Sequence, residues 1–97
     1  MRATPDLDDI LSACCKHFGV TREKLKNSRR GDSRKVCVYL IKRHTGATNR
    51  EIAELFGCLS YSAVAKIDWS VSSRLATDDD LRGLIERMQA EYSFFKV

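Results

Sequence analysis

Residues 48–67, TNREIAELFGCLSYSAVAKI, constrain the fold of this chain most, because they have the pattern of two short helices joined at a glycine. Thr48 and Glu51 have the spacing of a capping box, in which each side chain accepts a hydrogen bond from the other residue's backbone amide. Gly57 can take the left-handed conformation that ends a helix, and Ser60 is a favoured N-cap for the next one. The stretch therefore predicts a helix-turn-helix.

Helical spacing divides this motif, over about residues 48–75, into inward and outward positions. The inward positions are Ile52, Leu55 and Phe56 on the first helix, and Val64, Ile67, Val71 and Leu75 on the second. The outward positions of the second helix are Tyr61, Ser62, Ala65, Lys66 and Trp69. In DNA-binding motifs of this kind, the start of the second helix enters the major groove. A tight helical hairpin with no DNA partner has the same pattern, so the rest of the chain must decide.

Composition sets the class of protein. The chain has 97 residues, 43% hydrophobic and 31% charged, which is typical of one globular domain. No apolar run approaches the roughly 20 residues of a membrane span. The first residues, MRATPDLDD, lack the apolar segment of a secretory signal, so we expect a cytoplasmic protein with no membrane partner.

Reactive side chains are scattered along the chain. The four cysteines, Cys14, Cys15, Cys37 and Cys58, match neither a zinc-binding nor a redox spacing, which indicates free thiols in a reducing compartment. There is no phosphate-binding glycine loop, and no base that would activate a serine is apparent. We expect no metal, no cofactor, no small-molecule substrate and no catalysis by this chain.

Charge is distributed unevenly. The net charge is only +4, but lysine and arginine are concentrated between residues 22 and 50, whereas aspartates lie near both ends. A local positive field of this kind attracts phosphate even when the whole chain carries little charge. The alternative is that these cations form an ordinary solvated surface.

The remaining segments also have helical spacing. We expect a first helix from Thr4 and Pro5 to Gly19, then a short helical turn capped by Thr21. A polar loop, residues 27–33, carries Arg29 and Arg30.

Two further helices complete the fold. Ser33 is the expected cap of a helix that ends at Gly46 and buries Val36, Cys37, Leu40 and Ile41, with Tyr39 partly covered. Thr77 is the expected cap of a last helix whose inner face is Leu81, Leu84, Ile85 and Met88. Its first turn, Asp78 to Asp80, is acidic, as the helix dipole favours. The prediction is one all-α domain, a compact bundle of five or six helices containing a helix-turn-helix.

Three stretches of the chain resemble the C-terminal DNA-binding domain of the bacterial replication initiator DnaA. They are SRKVCVYLIKRHTGATNREIAELFG, residues 33–57, the preceding FGVTREKL and the later DDDLRGLIERM. The resemblance covers about residues 7–88. It implies a bundle similar to those of DnaA and the Trp repressor, in which a basic loop contacts the minor groove and the second helix of the motif contacts the major groove.

The chain departs from this family where DNA bases are contacted. After its glycine the initiator has GRDHSTV, whereas this chain has Leu59, Ser60 and Tyr61 in place of the arginine, aspartate and histidine. Recognition of the initiator's origin box is therefore not implied. The variant SYSAVAK, residues 60–66, is similar to the DnaA-like C-terminal domain of REP-associated tyrosine transposases. That resemblance implies a targeting domain at the C-terminal end of a larger transposase, with double-stranded or hairpin DNA as partner.

Candidate DNA contacts follow from these patterns. We expect minor-groove contacts from Arg29 and Arg30. The candidates for phosphate contacts are Thr48, Asn49, Arg50 and Ser62, which start helices. The candidates for base contacts are Ser60, Tyr61 and Lys66.

Several alternatives remain. Tyr61 could instead pack half-buried over the first helix of the motif, and Trp69 could be a core residue or an interhelix anchor. The domain could also be a protein-interaction module, or an initiator-like fold that has lost DNA affinity. The apolar tail with Tyr92, Phe94 and Phe95 could cover the core or serve a neighbouring catalytic domain or self-association. An interaction module would dock through this tail or through the surface with Tyr61 and Trp69.

Overall fold

The computed structural model describes residues 7–27, 32–57 and 59–91. These residues form six helices: α1 (Leu7–Phe18), α2 (Arg22–Lys26), α3 (Ser33–His44), α4 (Asn49–Phe56), α5 (Tyr61–Arg74) and α6 (Asp79–Glu91). The described part of the chain contains no β-strand. The predicted all-α bundle with a helix-turn-helix is confirmed.

The central helix is α3, which packs against α1, α2, α4 and α5. All six residues from position 36 to position 41 are buried. The sequence prediction was too narrow here, because it left Val38 out of the core and expected Tyr39 to be partly covered. Val38 is fully buried and Tyr39 is 6% exposed. A helix surrounded by neighbours buries its whole circumference, which the unbroken run VCVYLI indicates better than a single stripe does.

The short-range caps of the motif form as predicted. The backbone amide of Glu51 donates to the Thr48 hydroxyl oxygen over 3.1 Å, and the amide of Thr48 donates to the Glu51 carboxylate over 3.0 Å. Gly57 ends α4 in the left-handed region, with φ 74°. Ser60 then caps α5 by accepting from the amide of Ala63 over 3.1 Å.

Some helix boundaries differ from the predictions. Asp32, not Ser33, is the N-cap of α3, and Ser33 is already helical. The helix ends at His44 rather than at Gly46, because the Thr45 hydroxyl donates to the carbonyl of Ile41 over 2.7 Å and so ends the last turn.

The start of α6 also differs. The Asp78 carboxylate accepts from the amide of Leu81 over 3.0 Å, so Asp78 takes the cap position predicted for Thr77. A carboxylate is favoured there because the helix dipole adds to the hydrogen bond. The predicted first-helix start at Thr4 and Pro5 lies outside the described residues, as does the tail from Tyr92 to Val97.

Helix α6 completes the core through Leu81, Ile85 and Met88, with Leu84 partly buried. The Nε2 atoms of Gln89 and His44 lie 2.9 Å apart in a hydrogen bond that joins α6 to the end of α3. No helix within the described ranges has the length and apolar character needed to span a membrane.

Candidate nucleic-acid interface

The exposed side of α5 carries four of the predicted contact residues, namely Ser60 as its cap, then Tyr61, Ser62 and Lys66, all exposed. The opposite side of the helix buries Val64, Ile67 and Val71 against the core. The left-handed turn at Gly57 and the Ser60 cap set where this helix begins. The structure therefore brings these four side chains together on one free helix surface.

The side chains at the start of α5 differ in what they can offer to DNA. Tyr61 is 57% exposed, so its phenol is accessible. The hydroxyl oxygen of Ser60 already accepts a hydrogen bond as the helix cap, but its O–H can still donate. Lys66 forms no ion pair with any residue that the structure describes. An exposed ammonium without a carboxylate partner keeps its charge for a phosphate or a guanine.

The first turn of α4 holds Thr48, Asn49 and Arg50. The Thr48 hydroxyl oxygen is engaged in the capping box, as described above. The Oδ1 atom of Asn49 is buried and has no hydrogen-bond partner, so the group left for a phosphate is its amide donor. The Nε atom of Arg50 lies 3.4 Å from Oε1 of Glu54, with both side chains largely exposed. Such a surface pair contributes little, so Arg50 can exchange Glu54 for a phosphate.

The predicted loop contacts, Arg29 and Arg30, lie outside the described residues. One stretch of DNA can contact both sites if these arginines project on the same side as the start of α5, and this arrangement is a prediction. The residue that follows the loop, Asp32, is described, and its carboxylate accepts hydrogen bonds from Arg74 at the last residue of α5.

This Arg74 cluster was missed by the sequence analysis. The guanidinium binds both Asp32 oxygens, at 2.8 and 3.3 Å, and one Asp78 oxygen at 3.0 Å. The hydrogen bond from Arg74 lowers the pKa of Asp32. The pKa of Asp78 is lowered first by the amide of Leu81 and then by Arg74. One side chain thus connects the starts of α3 and α6 to the end of α5.

Ion pairs divide the cationic middle of the chain into two kinds of residue. Arg22 contacts Asp8 over 3.2 Å and the Ser12 hydroxyl over 2.7 Å, so it joins α2 to α1. Arg50, in contrast, has a largely exposed ion pair with Glu54, which a phosphate can replace. The basic cluster of the sequence is therefore partly structural, and only part of it is available to a polyanion.

Trp69 is the most exposed large apolar side chain of the described residues, at 72%. The alternative that it is a core residue or an interhelix anchor is wrong. It lies on α5 on the same side as Ser62, because seven residues make almost two full turns.

The other reactive side chains do not form a second site among the described residues. The described part of the chain contains no group of three or more His, Cys, Asp or Glu side chains that could hold a metal ion. Cys14 and Cys37 are buried thiols, and the side-chain hydrogen bond between them, followed by burial, raises the pKa of Cys37. Neither thiol lies on the exposed side of α5.

The sequence of this chain is similar to those of known proteins with a helix-turn-helix. Residues 7–68 match the family model described as bacterial dnaA protein helix-turn-helix. The chain is also 24% identical, over 87 residues, to the chromosomal replication initiator protein DnaA of Campylobacter jejuni subsp. doylei, a match that covers 86% of this chain. The DnaA protein of Campylobacter jejuni subsp. jejuni serotype O:6 matches with the same identity and coverage.

These matches cover about 20% of each initiator, so the chain spans only about a fifth of the length of these relatives. The family match spans α1 to α4 and most of α5, including the whole turn between the two helices of the motif. A helix-turn-helix of this family indicates a DNA-binding domain. The chain therefore belongs to the bacterial DnaA helix-turn-helix family.

Proposed function

We propose that this domain is the DNA-targeting part of a larger bacterial transposase and recognises DNA mainly through the start of α5. The observation that carries the proposal is the exposed group of Ser60, Tyr61, Ser62 and Lys66 on the second helix of a DnaA-type motif. The transposase assignment is supported by the sequence SYSAVAK, which differs from the initiator's signature at this point. The catalytic groups of such a transposase would belong to another domain.

The side chains have separate roles in this proposal. Lys66 donates to the acceptors of guanine in the major groove, and Tyr61 contacts an adjacent base or its methyl group. Arg50 and the free backbone amides at the start of α4 bind phosphates and fix the register of the protein on the DNA. Arg29 and Arg30 enter the neighbouring minor groove.

The experiment is a binding selection from libraries of random duplex and random hairpin DNA, followed by affinity measurements on the selected site. Lys66→Ala should lose about 1–3 kcal/mol of discrimination at one base pair and accept other bases there. Lys16→Ala removes the same charge from an exposed position on α1 and is the matched control. Failure of the parent domain to select any sequence would contradict the proposal.

A second candidate function is protein binding, which is favoured by the two exposed aromatic side chains, Tyr61 and Trp69, on one helix. Truncation before Tyr92 distinguishes docking through the tail from DNA binding by the domain. A DNA-binding domain keeps its affinity for the selected site without the tail, whereas a module that docks or self-associates through Phe94 and Phe95 loses its partner. Sedimentation of both chains, with and without DNA, measures the difference.

A further inference from the structure

Trp69 is the only tryptophan of the chain, and its side chain is 72% exposed. Leaving an indole in water forgoes the burial that usually stabilises a fold, and the exposed ring of Trp69 is available to a ligand. The core positions of α5, Val64, Ile67 and Val71, lie on the opposite side of the helix. The indole therefore stands at the middle of the free side of the same helix that carries the proposed base contacts.

The surroundings of Trp69 are polar rather than apolar. Lys66 lies one turn before it and Ser73 one turn after it, and Ser62 lies two turns before it, all exposed. Protein-docking surfaces are built around contiguous apolar cores from which lysine and serine are depleted. An isolated aromatic ring beside a lysine is instead the combination with which proteins hold nucleobases, the ring by stacking and the cation by binding phosphate.

The position of Trp69 along α5 restricts the kind of base that the indole can contact. Trp69 follows Tyr61 by eight residues, or about 12 Å along the helix, so it lies beyond the first turns that read base edges in a groove. Bases within an intact duplex have both faces covered by their neighbours. An indole face can stack only on a base that has been released from pairing or that ends a stack.

We propose that Trp69 is a stacking platform for an unpaired base, and that the preferred DNA is a duplex that carries such a base beside the segment bound by α5. This inference rests on the proposed function, because it uses the same helix, and it deepens that function by naming the substrate class. It assigns Trp69 a role in distinguishing an interrupted or folded strand from a continuous duplex.

The test uses the intrinsic fluorescence of Trp69, which reports on this position alone because the chain has one tryptophan. Three probes are titrated: the selected duplex, the same duplex with one extra unpaired base at its edge, and single-stranded oligo-dT. We expect strong fluorescence quenching and the tightest binding with the second probe. Trp69→Ala should lose roughly 5- to 150-fold in affinity for that probe and should bind the fully paired duplex as the parent does.

Trp69→Phe keeps an aromatic face and should recover part of the lost affinity. Ser72→Ala, a change at another exposed position on α5, should have no effect and is the matched control. Circular dichroism of Trp69→Ala should match that of the parent, since the exposed ring contributes little to the core.

The results separate the two proposals. Equal affinity of Trp69→Ala and the parent for the unpaired-base probe overturns the inference, and so does an equal loss on the paired and unpaired probes. If Lys66→Ala still relaxes the base preference at one position in the same experiments, the proposed function stands without the stacking role. A parent domain that binds none of the probes contradicts the proposed function itself.

Discussion

The guanidinium of Arg74 lies 2.8 Å from the carboxylate of Asp32, although 42 residues separate them in the chain. Its second nitrogen binds Asp78, whose carboxylate caps α6. Asp32 directly follows the loop that carries Arg29 and Arg30, while Arg74 ends the helix that carries Lys66. The contact therefore fixes one end of the basic loop relative to the proposed recognition helix.

Replacing Arg74 by methionine should lower the melting temperature by several degrees. The change removes one donor group from two carboxylates and leaves three helix ends less constrained. Arg82→Met is the matched control, because among the described residues Arg82 pairs with Asp79 in its own helix, and Arg82 is more exposed than Arg74. Thermal unfolding followed by circular dichroism measures both variants. Equal melting temperatures for the two variants would contradict a structural role for the Arg74 cluster.

The same cluster predicts a dependence of stability on pH. Hydrogen bonds from Arg74 hold the pKa of Asp32 below its ordinary value of 3.8, so the unfolded chain binds more protons in acid than the folded chain does. The stabilisation is complete above the ordinary pKa and is lost as the pH falls through the lower folded value.

Asp32→Asn abolishes this titration. We therefore expect the difference in unfolding free energy between the parent and Asp32→Asn to be constant at neutral pH and to shrink below about pH 4. Urea unfolding at several pH values measures it. A difference that does not change with pH would show that the charge of Asp32 is not involved.

Interactions within one turn of the chain were predictable from the sequence. The capping box of Thr48 and Glu51, the Ser60 cap and the left-handed Gly57 each depend on residues no more than three positions apart, so local chemistry decides them. The exposed side of α5 followed from helical spacing in the same way. These features position the candidate site.

The features that were not predicted depend on residues that only the folded chain brings together. Asp32 could not be paired with Arg74 from sequence, because 42 positions separate them in the chain. Val38 was missed because one buried stripe was assigned to a helix that has neighbours around most of its circumference. Helical spacing placed Trp69 among the outward positions of α5, while its residue type favoured a core or interhelix position. Its exposure agrees with the spacing.

Two glycines predict opposite effects of the same substitution. Gly57→Ala should destabilise the domain by about 1 kcal/mol, because an L-residue is strained at φ 74° even though nothing lies within 4 Å of the added Cβ. Gly83→Ala should stabilise it by about 0.5–1 kcal/mol, since this glycine lies inside α6 with open space around the added methyl group. Urea unfolding of both variants measures the two changes, and effects of the same sign would contradict the backbone assignments.

The last prediction concerns the salt dependence of DNA binding. If about five phosphates are neutralised, the logarithm of the affinity should fall against the logarithm of the salt concentration with a slope of about −4.5. Arg50→Ala should make this slope shallower by about 0.9 and weaken binding to all sequences alike, because Arg50 is assigned to a phosphate. Arg22→Ala is the control, since Arg22 is engaged with Asp8 and Ser12 and should leave the slope unchanged. If both variants change the slope by the same amount, DNA is held by the overall positive charge of the domain. The assignment of Arg50 to a defined phosphate would then be wrong.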